Sequence, residues 1–402
     1  MRHKSDFVIL SALLLTLLVA APAAAIETVP EISAQSLLGP DLTGRKWAVA
    51  PTVRSDGIIW IFTVKSSYGD FQVNGLRRMK ERMQELRGLE TLEKMSRSKA
   101  FAGATVRAGL APIRFGRDLI TDPIDTVGNF FSGVGKTIDT VAAGATNPGA
   151  GRDPFFDSVT GITKVERELA MKLGVDPYSD FKPLRSGLED VAQVTAAGAL
   201  PVTAGIAAIS GGAGLAVSGA SMGSQISAVV YTHTSRELFE IVTTTLKGLG
   251  VDAATTKRFI DNAFYSPADE YAIAEALKAV GAANANVFVD NAARAASFDV
   301  AKFTRYRAEL LARESVNLGT LQSYELVAGF VLNRDASGRL VAAFPFDTVA
   351  WTDSVSRNLT RLSAPMAAQQ ETRKPLFAST GVISAEAQAE LGKLGWESRK
   401  LD

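Results

Sequence analysis

Two stretches set side chains capable of chemistry close together. Asp347 and Asp353 lie six residues apart, on either side of Trp351, directly after an alternating apolar run. A strand end can present side chains to a cleft on a rigid support. Two carboxylates there would suffice for glycosidase-type hydrolysis, one as acid and one as base or nucleophile. The preferred, plainer reading of the pair is helix capping and surface solvation. The second stretch is Val175-Asp176-Pro177-Tyr178-Ser179-Asp180-Phe181. Asp176, Tyr178 and Asp180 in a Pro-stiffened turn could hold a sugar or a cation. The more ordinary role of such a turn is to join two helices.

A third candidate lies in an uncharged segment. Residues 191–235 contain no Asp, Glu, Lys or Arg and consist mainly of Ala, Gly, Ser and Val. Inside it, Gly219-Ala220-Ser221-Met222-Gly223 fits G-x-S-x-G, preceded by a short apolar run. It resembles the nucleophile elbow of α/β-hydrolases, which implies Ser221 as nucleophile. That family places its base histidine far downstream, after an acid. Here the last histidine is His233, twelve residues on. Ser221 and His233 are therefore weak catalytic candidates, and Ser221 reads better as structural. The segment is expected to be buried in soluble core. Membrane association is the alternative: residues 212–230 are long enough to span, but they carry four Ser and Gln225. Gly219 and Gly223 also make a GxxxG spacing, which lets two helices approach closely.

Other motifs carry less. Gly135-Lys136-Thr137 would end a phosphate loop, but the glycine required five positions earlier is Phe130. Ser96-Arg97-Ser98-Lys99 fits S-x-x-K on a charged helix and reads as coincidence. The chain has no cysteine and two histidines, one of them His3 in the leader. Zinc normally takes nitrogen or sulfur ligands, and no D-x-D-x-D-G calcium loop is present. No metal and no cofactor are expected.

Residues 1–25 read as a secretory signal: Arg2 and Lys4, an apolar core, then Ala23-Ala24-Ala25 before Ile26. The expected location is periplasmic or secreted. Without cysteine there are no disulfides, although that compartment permits them. The whole chain has 43 basic and 42 acidic residues. Losing Arg2, Lys4 and Asp6 leaves it neutral, so no global field draws it to nucleic acid. Asn358-Leu359-Thr360 is a formal glycosylation sequon, set aside because the short signal and Ala/Gly-rich composition have a bacterial character.

The elements that must position these residues are legible as patterns. Residues 26–46 form an extended lead-in. Trp47, Val49, Pro51 and Val53 alternate along one strand, and Ile58, Trp60, Phe62 and Val64 along the next, around Ser55-Asp56-Gly57. A short strand at 71–73 follows. Asn74 is expected to cap a helix whose Leu76, Met79, Met83, Leu86, Leu89, Leu92 and Met95 make one apolar stripe. Residues 143–153 read as a loop or internal boundary. Gly174, Gly248, Asp252, Ser266-Pro267, Gly281 and Asp299 punctuate further helices. A second hairpin is expected from 326–332 and 339–346 around 333–338. Residues 363–375 look flexible, and Ser384 opens a last helix. The expected fold is α+β and helix-dominated, with the two hairpins joined in one small antiparallel sheet. Residues 47–362 would form the main domain, and 363–402 a flexible segment with a terminal helix.

The segments LGVDPYSD at 173–180 and FPFDTVAWTD at 344–353 are similar to stretches in exported bacterial proteins of unassigned function. The resemblance implies export and no particular activity. The leading expectation is a soluble cell-envelope binding or structural factor. The alternatives are a periplasmic hydrolase using the carboxylate pair or Ser221, and a protein that associates with membranes through 191–235. The ligand, the envelope partner and the oligomeric state are not encoded in any motif.

Overall fold

The computed structural model describes residues 26–113, 115, 163–197, 228–369 and 373–402. The structure is mixed α+β, and helix, at about 51%, outweighs strand, at 18%. The signal segment, the 143–153 boundary, Ser221, the GxxxG spacing and most of the uncharged stretch lie outside the described residues.

The first unit contains β1 (Glu31–Ser33), α1 (Ala34–Leu38), β2 (Trp47–Val49), β3 (Thr52–Ser55), β4 (Trp60–Ser66) and β5 (Phe71–Asn74). The strands form an antiparallel sheet in the order β1-β3-β4-β2, with β5 also against β4. Val49 pairs with Val64 and Arg54 with Ile61, so β2 and β3 follow each other along β4. The break falls at Pro51, which has no N–H to give the ladder. Trp60, Phe62 and Val64 are buried on one face. Against them pack α2 (Leu76–Ser96), α3 (Lys99–Arg107), α4 (Lys164–Leu173) and α5 (Lys182–Ala197). The α2 stripe from Met79 to Met95 is buried, as its spacing requires.

The middle of the chain supplies α6 (Ala228–Thr232), α7 (Ser235–Gly248), α8 (Ala253–Ile260), α9 (Pro267–Val280), α10 (Ala285–Ala292) and α11 (Phe298–Glu314). Thr163, Thr234 and Ser266 open α4, α7 and α9 with full capping boxes. Each satisfies orphan N–H groups at its helix start.

The last part contains β6 (Leu321–Val327), β7 (Phe330–Asp335), β8 (Leu340–Phe344), β9 (Thr348–Val349) and α12 (Asp353–Gln369). After it come β10 (Leu376–Ser379), β11 (Val382–Ile383), α13 (Ala385–Lys393) and β12 (Glu397–Lys400). A second sheet runs β12-β10-β8-β7-β6. β10 is parallel to both its neighbours, and the β8-β7-β6 side is antiparallel. Val341 and Ala343 join the core of the middle helices. Leu340, Ala342 and Phe344 join the core beneath α12 and α13. Burial on both faces explains why β8 is apolar throughout.

Several expectations need correction. The two hairpin regions belong to two different sheets. The inner partner of β8 is the parallel strand β10, whose Leu376-Phe377-Ala378-Ser379 was too short a run to stand out. The stretch 326–332 is not one strand: Ala328 and Gly329, both at positive φ, turn the chain between β6 and β7. The helix at Leu76 is preceded by Gly75, with no side-chain cap from Asn74. Asn74 donates instead to Asp299, 2.7 Å away. The helix attributed to an Asp299 cap is opened by Ser297. Residues 363–369 continue α12 through Pro365.

Candidate functional site

The α2 N-terminus, one face of α11, the segment 345–347 and the β10–β11 turn enclose a cleft of about 640 Å³. That size suits a small organic ligand. Lys302, Tyr306, Leu310 and Arg313 reach it from α11 at helical spacing. Arg77, Arg78 and Lys80 come from the first turns of α2, and Ile59 from the loop before β4. Phe346 and Asp347 complete the opposite wall, with Thr380 and Gly381.

Asp347 holds this wall in place. Its Oδ2 accepts from the backbone N–H of Trp60 and of Leu76, both at 2.9 Å. It thus caps a helix whose own preceding residues offer no cap. Its own N–H donates to the Ile58 carbonyl at 2.9 Å, and Ala350 N–H to that of Gly57 at 2.8 Å. Burial pushes the Asp347 carboxyl up to about 7, against the pull of the two N–H groups. Asp56 adds to the rise and Lys80 opposes it. Gly381 packs so closely behind Asp347 that a Cβ would lie 2.2 Å from its carbonyl carbon.

Beneath the cleft lies a buried ionic layer. Asp180 pairs with Arg78 and, at 3.2 Å, with Arg82. Arg82 pairs in turn with Glu85 at 2.8 Å. Burial opposes ionisation of Asp180, but Arg78 and Arg82 hold it far below the ordinary carboxylate range. Asp269 takes Lys302 at 2.7 Å and Arg305 at 3.0 Å. Burial pushes its carboxyl up, yet these cations pull it down to about 2. Tyr306 donates to Glu81, and the Arg77 guanidinium stacks on the Tyr306 ring at 4.1 Å while pairing with Glu309. Asp299, at the mouth of this layer, is shifted upward by burial despite its bond from Asn74. Lys80 makes no hydrogen bond or ion pair among the described residues.

The residues singled out from sequence fall in different places. Asp347 lines the cleft. Asp353 does not: it is the exposed first residue of α12 and pairs with Arg357. Trp351 is buried in the core beneath α12. Its backbone N–H donates to Glu27, whose carboxylate also accepts from Ser384 Oγ at 2.6 Å. Asp176 closes its own turn by accepting from Tyr178 N–H at 2.8 Å, and burial pushes its carboxyl up to about 6. Tyr178 is buried against Val230, Leu238 and Ala268. Asp180 belongs to the ionic layer. His233 Nδ1 lies 3.0 Å from Thr232 Oγ1 and 3.1 Å from the Val229 carbonyl. Among the described residues no cluster of three His, Cys, Asp or Glu could hold a metal. Sequence reasoning missed Lys80, Asp299, Lys302 and Tyr306. Asp299 reads from sequence only as a helix cap, and no motif marks the other three, which come from two helices far apart in the chain.

Compared with known proteins, the chain matches no family model, no curated protein and no solved structure.

Proposed function

We propose that this chain is an exported cell-envelope binding protein and that the cleft is its ligand site. One observation carries the reading: an open 640 Å³ space joins ring and aliphatic surfaces to polar groups fixed by a rigid ionic layer. Ligand sites combine an apolar lining with few, well-placed polar groups in this way. The tripartite N-terminus supports the envelope location. No helix among the described residues is long and apolar enough to cross a membrane.

The test uses methyl NMR of the mature chain. The Ile59 and Leu310 methyl signals are followed on adding the small-molecule fraction of a periplasmic extract. Saturable shifts at both positions are expected. No shift with any fraction, from a protein that is folded, overturns the reading. In parallel, intact mass should place the first residue at or near Ile26 in the periplasmic fraction.

A second reading is hydrolysis. It is favoured by Asp347, whose elevated carboxyl could give up a proton near neutral pH. In this geometry its companion in the cleft is Asp299 rather than Asp353. Turnover lost in both Asp347→Asn and Asp299→Asn, at unchanged melting temperature, would establish it.

A further inference from the structure

We propose that α3 is a docking surface for an anionic lipid bilayer, with Val106 and Leu110 entering the headgroup region and the cations around them meeting lipid phosphates.

The argument begins with an uneven stretch of sequence. Between Glu93 and Asp118 the chain has no acidic residue and six cations: Lys94, Arg97, Lys99, Arg107, Arg114 and Arg117. The whole chain carries a net charge of only +1, so this excess belongs to one place and is not part of a global field.

The helix inside that stretch is fixed at both ends. Ser98 opens it by accepting from the Phe101 N–H at 3.2 Å. Gly109, at φ +66, ends it: Leu110 N–H donates to the Thr105 carbonyl and Gly109 N–H to that of Val106, both at 3.1 Å. A left-handed glycine commonly closes a helix in this way and keeps the next apolar residue beside the last turn. Helical spacing puts Phe101, Ala104 and Thr105 on the buried side, where α3 shares a core with α2 and α5. The other side presents Lys99, Ala102, Val106 and Arg107, all exposed. Val106 is 79% exposed and Leu110 37%.

The cations of this face are mostly uncommitted. Lys94, Lys99 and Arg107 make no ion pair among the described residues. Arg97 lies 3.5 Å from Glu93, but that carboxylate is buried and already held by Lys46 at 2.7 Å. Glu90 is turned to the backbone N–H groups of Arg45 and Lys46. The neighbouring α5 brings Glu189 and Asp190. Setting both against Lys94, Arg97, Lys99 and Arg107 still leaves two positive charges in excess. Exposed aliphatic side chains framed by Lys and Arg are the pattern of an interfacial helix: the apolar groups enter the headgroup boundary and the cations stay with the phosphates. A protein partner fits less well, because protein interfaces favour aromatic anchors. The one aromatic side chain of α3, Phe101, is buried in the core.

The experiment uses the mature chain and sucrose-loaded vesicles of phosphatidylcholine, alone or mixed equally with phosphatidylglycerol. Cosedimentation is expected with the mixed vesicles and not with the neutral ones. Salt screens exposed charges, so binding should fall about tenfold or more between roughly 50 and 500 mM salt. Lys99→Gln and Arg107→Gln should each weaken it roughly fivefold, and Val106→Ser should weaken it as well. The chain has no cysteine, so Val106→Cys accepts a single environment-sensitive fluorophore. Its emission should shift to the blue on adding mixed vesicles, while the same label at Val382→Cys, exposed on β11, should not shift. Absence of cosedimentation overturns the proposal, as does equal binding to neutral vesicles. Binding that ignores both cation variants, or leaves the label at 106 unshifted, assigns the membrane contact to another surface and also overturns it. A label already blue-shifted before vesicles are added shows that another part of the chain or a second copy covers the face, with the same consequence. Polyglutamate that binds as tightly as the mixed vesicles makes the face a site for acidic protein instead.

Discussion

The carboxylate of Asp347 lies 2.9 Å from the backbone nitrogen of Leu76, a residue 271 positions earlier in the chain. The start of α2 is therefore completed from the far end of the sequence. Removing that carboxylate leaves two N–H groups without their acceptor. Asp347→Ala should destabilise the protein by about 1–3 kcal/mol, and Asp347→Asn by less. Urea denaturation followed by circular dichroism measures both.

The same group sets a pH slope. Its folded value of about 7 lies above the ordinary 3.8. Between these limits the native state binds more protons than the unfolded state, so stability from this group falls as pH rises. It is fully present below about pH 4 and gone above 7. Comparing denaturation midpoints of wild type and Asp347→Asn from pH 4 to 8 isolates this contribution. A difference between them that does not change with pH would refute it.

Gly381 is required by space. A Cβ there would meet the Asp347 carbonyl carbon at 2.2 Å and its oxygen at 2.3 Å, and backbone cannot rotate aside. Gly381→Ala should destabilise by about 1–3 kcal/mol through overpacking. It should also shift the Ile59 methyl signal as the 345–347 wall moves.

Two aspartates marked by sequence should behave oppositely. Asp180→Asn leaves Arg78 with Glu81 and Arg82 with Glu85 but removes their shared carboxylate, a loss of about 1–3 kcal/mol. Asp353→Asn removes one exposed pair with Arg357 and should stay within about 0.5 kcal/mol. Chemical denaturation of the two variants side by side gives the contrast.

What the sequence showed was local. The Met79–Met95 stripe, the helix start at Ser266-Pro267, and the alternation from Trp60 to Val64 all depend on neighbours in the chain. They stand in the structure where their spacing put them. What it hid was long-range pairing. Nothing near Leu376 indicates a strand seated parallel to β8. The residue beside α2 that looks like its cap is Asn74, yet the cap comes from Asp347. Asp347 stands out in the sequence for its place at a strand end, and it lines the cleft. Asp353 is near it only in sequence, while Asp299 reaches the same cleft from α11. Side-chain spacing along one segment cannot reveal neighbours supplied by another.

The long reach of Asp347 and of Glu27 has a consequence for synthesis. Glu27 meets Trp351 and Ser384, and α2 meets Asp347, only after most of the chain has left the ribosome. At roughly 5–20 residues per second, the first sheet and helix wait on the order of tens of seconds for these closing contacts. During that interval the amino-terminal portion lacks its final clasps.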